Sequence, residues 1–211
     1  MLLDTLTSLL QAPPHERPAN TVEYFPGSGV LFTAPHAVPH ARHPAPHGGS
    51  ERKKHDGATG QIAQTLSMHT GAVALIARPP WTGNANADPL ELCPFKKRVV
   101  ELIESGSVHT VVDLHGMAAH HELDICIGIG DDMPGETVER LCRLLDTAGL
   151  SWAMNKPFGG GGSGTVRTSA RAAGAAAVQL EIGPKCRNPL VAPEQTVALL
   201  NALSKFARTL T

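Results

Sequence analysis

The chain has 211 residues, enough for one substantial domain, and no Ser/Gly linker or charge run divides it, so a single domain over 1–211 is expected. With 18 Lys and Arg against 19 Asp and Glu the formal net charge is −1, which gives no electrostatic footprint for nucleic acid or an anionic membrane and leaves a small molecule as the expected partner. No stretch approaches the roughly 18 uninterrupted apolar residues of a membrane span, Met1-Leu2-Leu3-Asp4 lacks a basic signal region, and Cys93, Cys126, Cys142 and Cys186 form no CxxC. A cytoplasmic protein with four reduced thiols is predicted.

Residues 21–25 and 29–34 read as two strands around Pro26-Gly27-Ser28, the second running directly into Pro35-His36. A polar loop, 37–55, follows. It holds His40, His43 and His47 interleaved with Pro39, Pro44 and Pro46, and irregular His tracts on loops are usually solvated. Ile62, Ala63, Leu66 and His69 mark a helix starting near Gly57 or Ala58. The apolar run 72–77 is a strand ending in Arg78, and Pro79, Pro80 and Gly83 keep 79–86 out of a helix. Phe95, Val99, Val100, Leu102 and Ile103 give a helix from about Pro94 that Ser105-Gly106 stops.

The β-branched run 108–112 then reads as a buried strand, and it ends in Asp113-Leu114-His115-Gly116. A second apolar stretch covers 123–129. Val138, Leu141, Leu144 and Leu145 form a one-faced helix closed by Gly149. Residues 151–154 read as a short strand ending at Asn155, 159–164 as a glycine-rich loop, and 175–182 as the last central strand, carrying Glu181. Val197, Leu200, Leu203 and Phe206 define a closing helix begun by Pro193 and Glu194. Strands and helices alternate at non-hairpin spacings, which predicts an α/β fold: three layers, α/β/α, around a mostly parallel or mixed sheet.

His36, Arg78, Asp113 with His115, Asn155 and Glu181 all stand at predicted strand ends. In an open α/β sheet such ends converge on one crevice. A catalytic metal takes three N or O ligands and keeps a position open, and His36 and His115 are the nitrogen ligands of choice. Asp56, just before a helix, is either the third ligand or that helix's N-cap. Asp113 shares a strand face with His115 and is placed to orient its ring. Glu181, costly to bury unless paired or used, is either the ion-pair partner of Arg167 or Arg171 or a general base. Those two arginines and Arg78 are equally candidates for binding a substrate carboxylate, with Asn155 positioning the substrate. The loop 159–164 is either a cover or a plain turn. It is not a phosphate loop, because no Lys-Ser/Thr follows it, and there is no GxSxG for a serine nucleophile.

The run of Pro35-His36, Asp56-Gly57-Ala58-Thr59, Asp113-Leu114-His115, Asn155-Lys156-Pro157-Phe158-Gly159-Gly160 and Gln179-Leu180-Glu181-Ile182 resembles, in that order, the N-formylglutamate amidohydrolase family, distant relatives of the zinc carboxypeptidases. The resemblance implies a phosphorylase/hydrolase-like fold and an amidohydrolase acting on an N-acyl amino acid or γ-glutamyl-type carboxylate. It implies that His36, Asp56 and His115 hold a divalent metal, with zinc the expected ion, and that Glu181 is the catalytic carboxylate. The family's substrate segment corresponds to Arg78 with Asn84-Ala85-Asn86. The alternative function is a non-catalytic metal- or ligand-binding protein that keeps the fold.

Overall fold

The computed structural model describes residues 1–12, 22–42, 51–79, 81 and 83–210. In chain order its elements are α1 (Leu2–Gln11), β1 (Val22–Phe25), β2 (Gly29–Ala34), β3 (His40–Arg42), β4 (Glu51–Lys53), α2 (Thr59–Thr70), β5 (Val73–Ala77), α3 (Pro94–Glu104), β6 (Val108–Gly116), β7 (Ile125–Gly128), α4 (Glu136–Thr147), β8 (Trp152–Met154), α5 (Val166–Ala172), β9 (Ala176–Ile182), α6 (Pro184–Arg187) and α7 (Pro193–Arg208). Seven strands form one sheet in the order β1-β5-β2-β6-β9-β7-β8. Its centre, β5-β2-β6-β9, is parallel throughout. The margins reverse: β1 is antiparallel to β5, and β7 to β9, with β8 following β7. The expected α/β sandwich with a mixed sheet is what the chain adopts.

Both faces of the central strands are buried, which is why they read as continuous apolar runs rather than as alternation. Phe32, Ile76, Leu114 and Leu180 face one way, onto α1, α2, α4 and α7 through Leu6, Ile62, Leu66, Leu145, Leu203 and Phe206. Leu31, Leu75, Val111 and Ala177 face the other, onto α3 and α5 through Phe95, Val99, Val166 and Ala170. Each fully buried Leu or Phe in these layers stabilises the fold by about 1.5–3 kcal/mol. The period of two along a strand carries the second face on to Thr33, Asp113, His115, Gln179 and Glu181. These polar side chains therefore line one side of one sheet edge.

Four local expectations change. The strands flanking Pro26-Gly27-Ser28 do not pair with each other, because β5 lies between them. The turn instead seats on the end of α2, where Ser28 N–H donates to Gly71 C=O and a Cβ on Gly27 would come 2.2 Å from that oxygen. Second, part of the predicted polar loop 37–55 is a two-stranded ribbon, β3 with β4, too polar to give an apolar period; His43 and His47 lie outside the described residues. Third, β6 runs beyond the apolar run 108–112 and on through Gly116, which keeps Asp113 and His115 on the one strand face expected of them. Fourth, α1, α5 and α6 were not anticipated. The first is amphipathic and buries Leu6, whereas α5 and α6 span only 7 and 4 residues, too short for a helical period to show.

Candidate metal centre

Three elements deliver three side chains to one point. His36 lies two residues beyond β2, Asp56 precedes α2, and His115 is in β6 beside Glu181 of β9 in the sheet register. Asp56 N–H donates to His36 C=O at 2.8 Å, which ties the first two segments together. One ligand atom from each of His36, Asp56 and His115 lies within 4.8 Å of the other two. Nδ1 of His115 is 3.3 Å, and Nδ1 of His36 3.8 Å, from Asp56 Oδ2.

The far nitrogen of each ring is held. His115 Nε2 is 2.9 Å from Asp113 Oδ2, and Thr33 Oγ1 donates to the other oxygen of Asp113 at 2.6 Å. His36 Nε2 is 3.2 Å from Asn84 Oδ1. With each Nε2 facing an oxygen, both Nδ1 atoms point to the same region, beside Asp56 Oδ2. This is the arrangement by which metal-ligating histidines are fixed in tautomer and orientation. Two imidazole nitrogens and a carboxylate oxygen fit zinc and other first-row divalent ions.

Charge in the cluster follows from burial and proximity. Burial pushes the His36 imidazole well below its usual value, and the neighbouring His115 and His40 rings push the same way. Burial opposes charge on His115 too, but Asp113, and after it Asp56 and Glu181, outweigh that cost and raise its pKa well above the usual value. For Asp56, burial favours the neutral acid, while His115 and then His36 overcome it and hold the carboxyl below its usual value. Glu181 behaves differently: burial raises it, and Asp56 and Asp113 raise it further against the pull of His115. The raised carboxyl accepts a hydrogen bond from Gln179 Nε2 at 2.9 Å.

Several alternatives left open by the sequence close here. Ala58, with φ of 68°, is the N-cap of α2, and no side chain caps that helix, so Asp56 is not its cap; its carboxylate turns to the two histidines instead. Glu181 is not the ion-pair partner of Arg167 or Arg171. Both of those guanidiniums contact Asp132, beside Ala176 and Ala177 at the far end of β9, about 13–17 Å of strand from Glu181. Asn155 likewise follows a strand that runs against β9, so it does not emerge at the shared edge. Its amide pins the chain leaving β7, accepting from Ile129 N–H and donating to Gly130 C=O. The glycine-rich loop is packed at its start rather than open, with Gly130 N–H donating to Gly159 C=O. Arg78 emerges at the same edge as His36, and its Nε donates to Glu23 at 2.6 Å. Asn84, expected at the substrate, accepts from His36. His40, expected in solvent, is 2% exposed and stacks on His36 with ring centroids 3.6 Å apart. His55 is exposed and stays outside the cluster.

Sequence reasoning passed over Thr33, Gln179 and Arg187. The first two carry a signal, since each lies a whole number of strand periods from a site residue or opposite one in register. Arg187 carries none beyond its closeness to Glu181.

The family model of N-formylglutamate amidohydrolase matches residues 93–186, a stretch that contains Asp113, His115 and Glu181. Among curated proteins none matches the sequence. Solved structures share the fold. A gene product of Agrobacterium tumefaciens superposes with a TM-score of 0.62 at 21% identity, covering 90% of this chain and 94% of its own. N-formylglutamate amidohydrolase from Ralstonia eutropha JMP134 does so at 0.60 and 16% identity, covering 90% and 98%. A bacteriophage poly-gamma-glutamate hydrolase does so at 0.57 and 12%, covering 90% and 92%. The chain is thus similar in sequence, over 93–186, to the N-formylglutamate amidohydrolase family, and over nine-tenths of its length it shares the fold of a solved member.

Proposed function

We propose that the protein is a divalent-metal-dependent amidohydrolase that cleaves an amide bond in an N-acyl amino acid or γ-glutamyl-type carboxylate. The observation that carries this reading is the convergence of His36, Asp56 and His115, each ring held through its other nitrogen. These three residues hold the metal, which we take to be zinc. When bound, the ion polarises the amide carbonyl and lowers the pKa of water. Glu181 is the proton carrier, taking a proton from the attacking water and returning it to the leaving amine. It stands opposite His115 in the sheet register, beside the three proposed ligands.

Asp113 and Asn84 orient the two imidazoles. Arg78 is the arginine we retain for a substrate carboxylate, because it follows β5 at the edge where His36 follows β2. We drop that role for Arg167 and Arg171, which meet Asp132 beside the start of β9, away from Glu181. Asn155, Arg167 and Arg171 instead hold the framework behind the site. Four free, buried cysteines support a cytoplasmic setting, and no helix among the described residues is long and apolar enough to cross a membrane.

The test is metal content of the purified protein, together with amide hydrolysis over a panel of N-acyl amino acids and γ-glutamyl peptides, beside Glu181→Gln. The expected result is one metal per chain and cleavage of at least one amide. Glu181→Gln should lower kcat by about 10²–10⁴-fold while leaving metal content unchanged. A protein that binds metal and cleaves nothing is the non-catalytic binding protein instead, and full activity in Glu181→Gln removes the proton-carrier assignment.

A further inference from the structure

Arg187, on the one-turn helix after β9, donates to three backbone carbonyls from three separate segments. Its Nε donates to Ile182 C=O at 2.9 Å, Nη1 to Gly57 C=O at 2.6 Å and Nη2 to Met117 C=O at 3.0 Å. Each acceptor lies one or two residues beyond a member of the site: Ile182 follows Glu181, Gly57 follows Asp56, and Met117 is two past His115. A Cβ on Gly116 would sit 2.8 Å from Cζ, 3.0 Å from Nη1 and 3.1 Å from Nη2 of Arg187. Those near-equal distances put the face of the guanidinium over Gly116, against the backbone that carries His115.

We propose that Arg187 is a positioning residue: its guanidinium fork clamps the Asp56, His115 and Glu181 segments to one another and so fixes the spacing of the metal ligands and the proton carrier. The geometry favours a clamp over direct catalysis, because all three nitrogens are already committed to carbonyls. It also demands a fork. A planar guanidinium meets three acceptors in fixed directions, whereas an ammonium is a single point with freely rotating donors. Gly116 is the matching requirement, since a side chain there would displace the guanidinium. Only the metal readout of the test below rests on the function proposed above.

The test compares Arg187→Met, Arg187→Lys and Gly116→Ala with wild type and with Leu203→Ala, a core change in α7 away from the site. Two quantities are read. One is affinity for Zn²⁺ by chelator competition, with the visible absorption of the Co²⁺ form as a signature of ligand geometry. The other, in the metal-free protein, is the set of imidazole ¹H–¹⁵N shifts of His36 and His115. The clamp predicts about 10–100-fold weaker metal binding and an altered Co²⁺ spectrum in all three site variants, with moved His115 signals. Leu203→Ala should lose stability but keep wild-type affinity and shifts. Arg187→Lys behaving as wild type would show that charge alone suffices and would overturn the clamp, as would unchanged affinity and imidazole shifts in Arg187→Met. Should Arg187→Met fail to fold, Gly116→Ala and Arg187→Lys decide. Should the wild type take up no metal, the metal-centre reading falls, and the metal-free imidazole shifts decide the clamp by themselves.

Discussion

Asp113 is fully buried, and its two oxygens go to Thr33 and His115. A buried carboxylate is retained only where its partners offset its desolvation, so removing it costs the site more than one hydrogen bond. Asp113→Ala should leave the His115 ring free to turn and lower metal affinity by about 10–100-fold, measured by chelator competition on protein whose circular dichroism matches wild type. The spacing that places Asp113 and His115 on one face was legible in the sequence, because strand side chains alternate with a period of two. The role of Asp56 was not legible from its residues alone, since a ligand and an N-cap both begin with an acid before a helix. The left-handed backbone at Ala58, which makes that residue the cap, rules out the second of these. Arg187 was invisible for a different reason: its acceptors come from residues 57, 117 and 182, and no local pattern encodes a meeting of three distant carbonyls.

Among the elements, β2, β5, β6 and β9 were legible as apolar runs bounded by turn residues, and α2, α3, α4 and α7 as helical periods. Strand direction was not. Nothing in residues 123–129 shows that β7 runs against β9, and for that reason Asn155 was expected at the wrong place. The reversed strand carries a close backbone contact: a Cβ on Gly128 would lie 2.9 Å from Gly160 N and 3.0 Å from Gly159 C. Both obstacles are backbone atoms and cannot swing aside as a flexible side chain would. Gly128→Ala should therefore destabilise the protein by about 1–3 kcal/mol, read as a lower urea midpoint at unchanged m-value. It should also loosen the start of the glycine-rich loop, seen as faster amide exchange at Gly130, whose N–H donates to Gly159 C=O.

At the scale of the whole molecule, all four thiols are buried and each is shifted upward by that burial. Cys186 is shifted furthest, from 9.0 to about 12, with burial first and Asp124 adding to it. In the unfolded chain this thiol ionises at its ordinary value, so above about pH 9 the unfolded state binds fewer protons than the folded one and stability falls as pH rises. The expectation is a denaturant midpoint that declines between about pH 9 and about pH 12. Cys186→Ala should show a shallower decline over the same interval.

The strand order has one more consequence, for the time at which the site comes into being. β6 holds His115, but its neighbour on one side, β9, is the last strand in sequence among the described residues, and through β9 the pair β7-β8 joins the sheet. A nascent chain leaving the ribosome therefore exposes His36, Asp56 and His115 long before the strand and the arginine that bring their segments into register have been made. Until residue 187 has emerged, His36, Asp56 and His115 are tethered groups on an unfinished sheet, with no set spacing between them. On the function and the clamp proposed above, capture of the ion waits for one later segment, which supplies a central strand, Glu181 and Arg187 together.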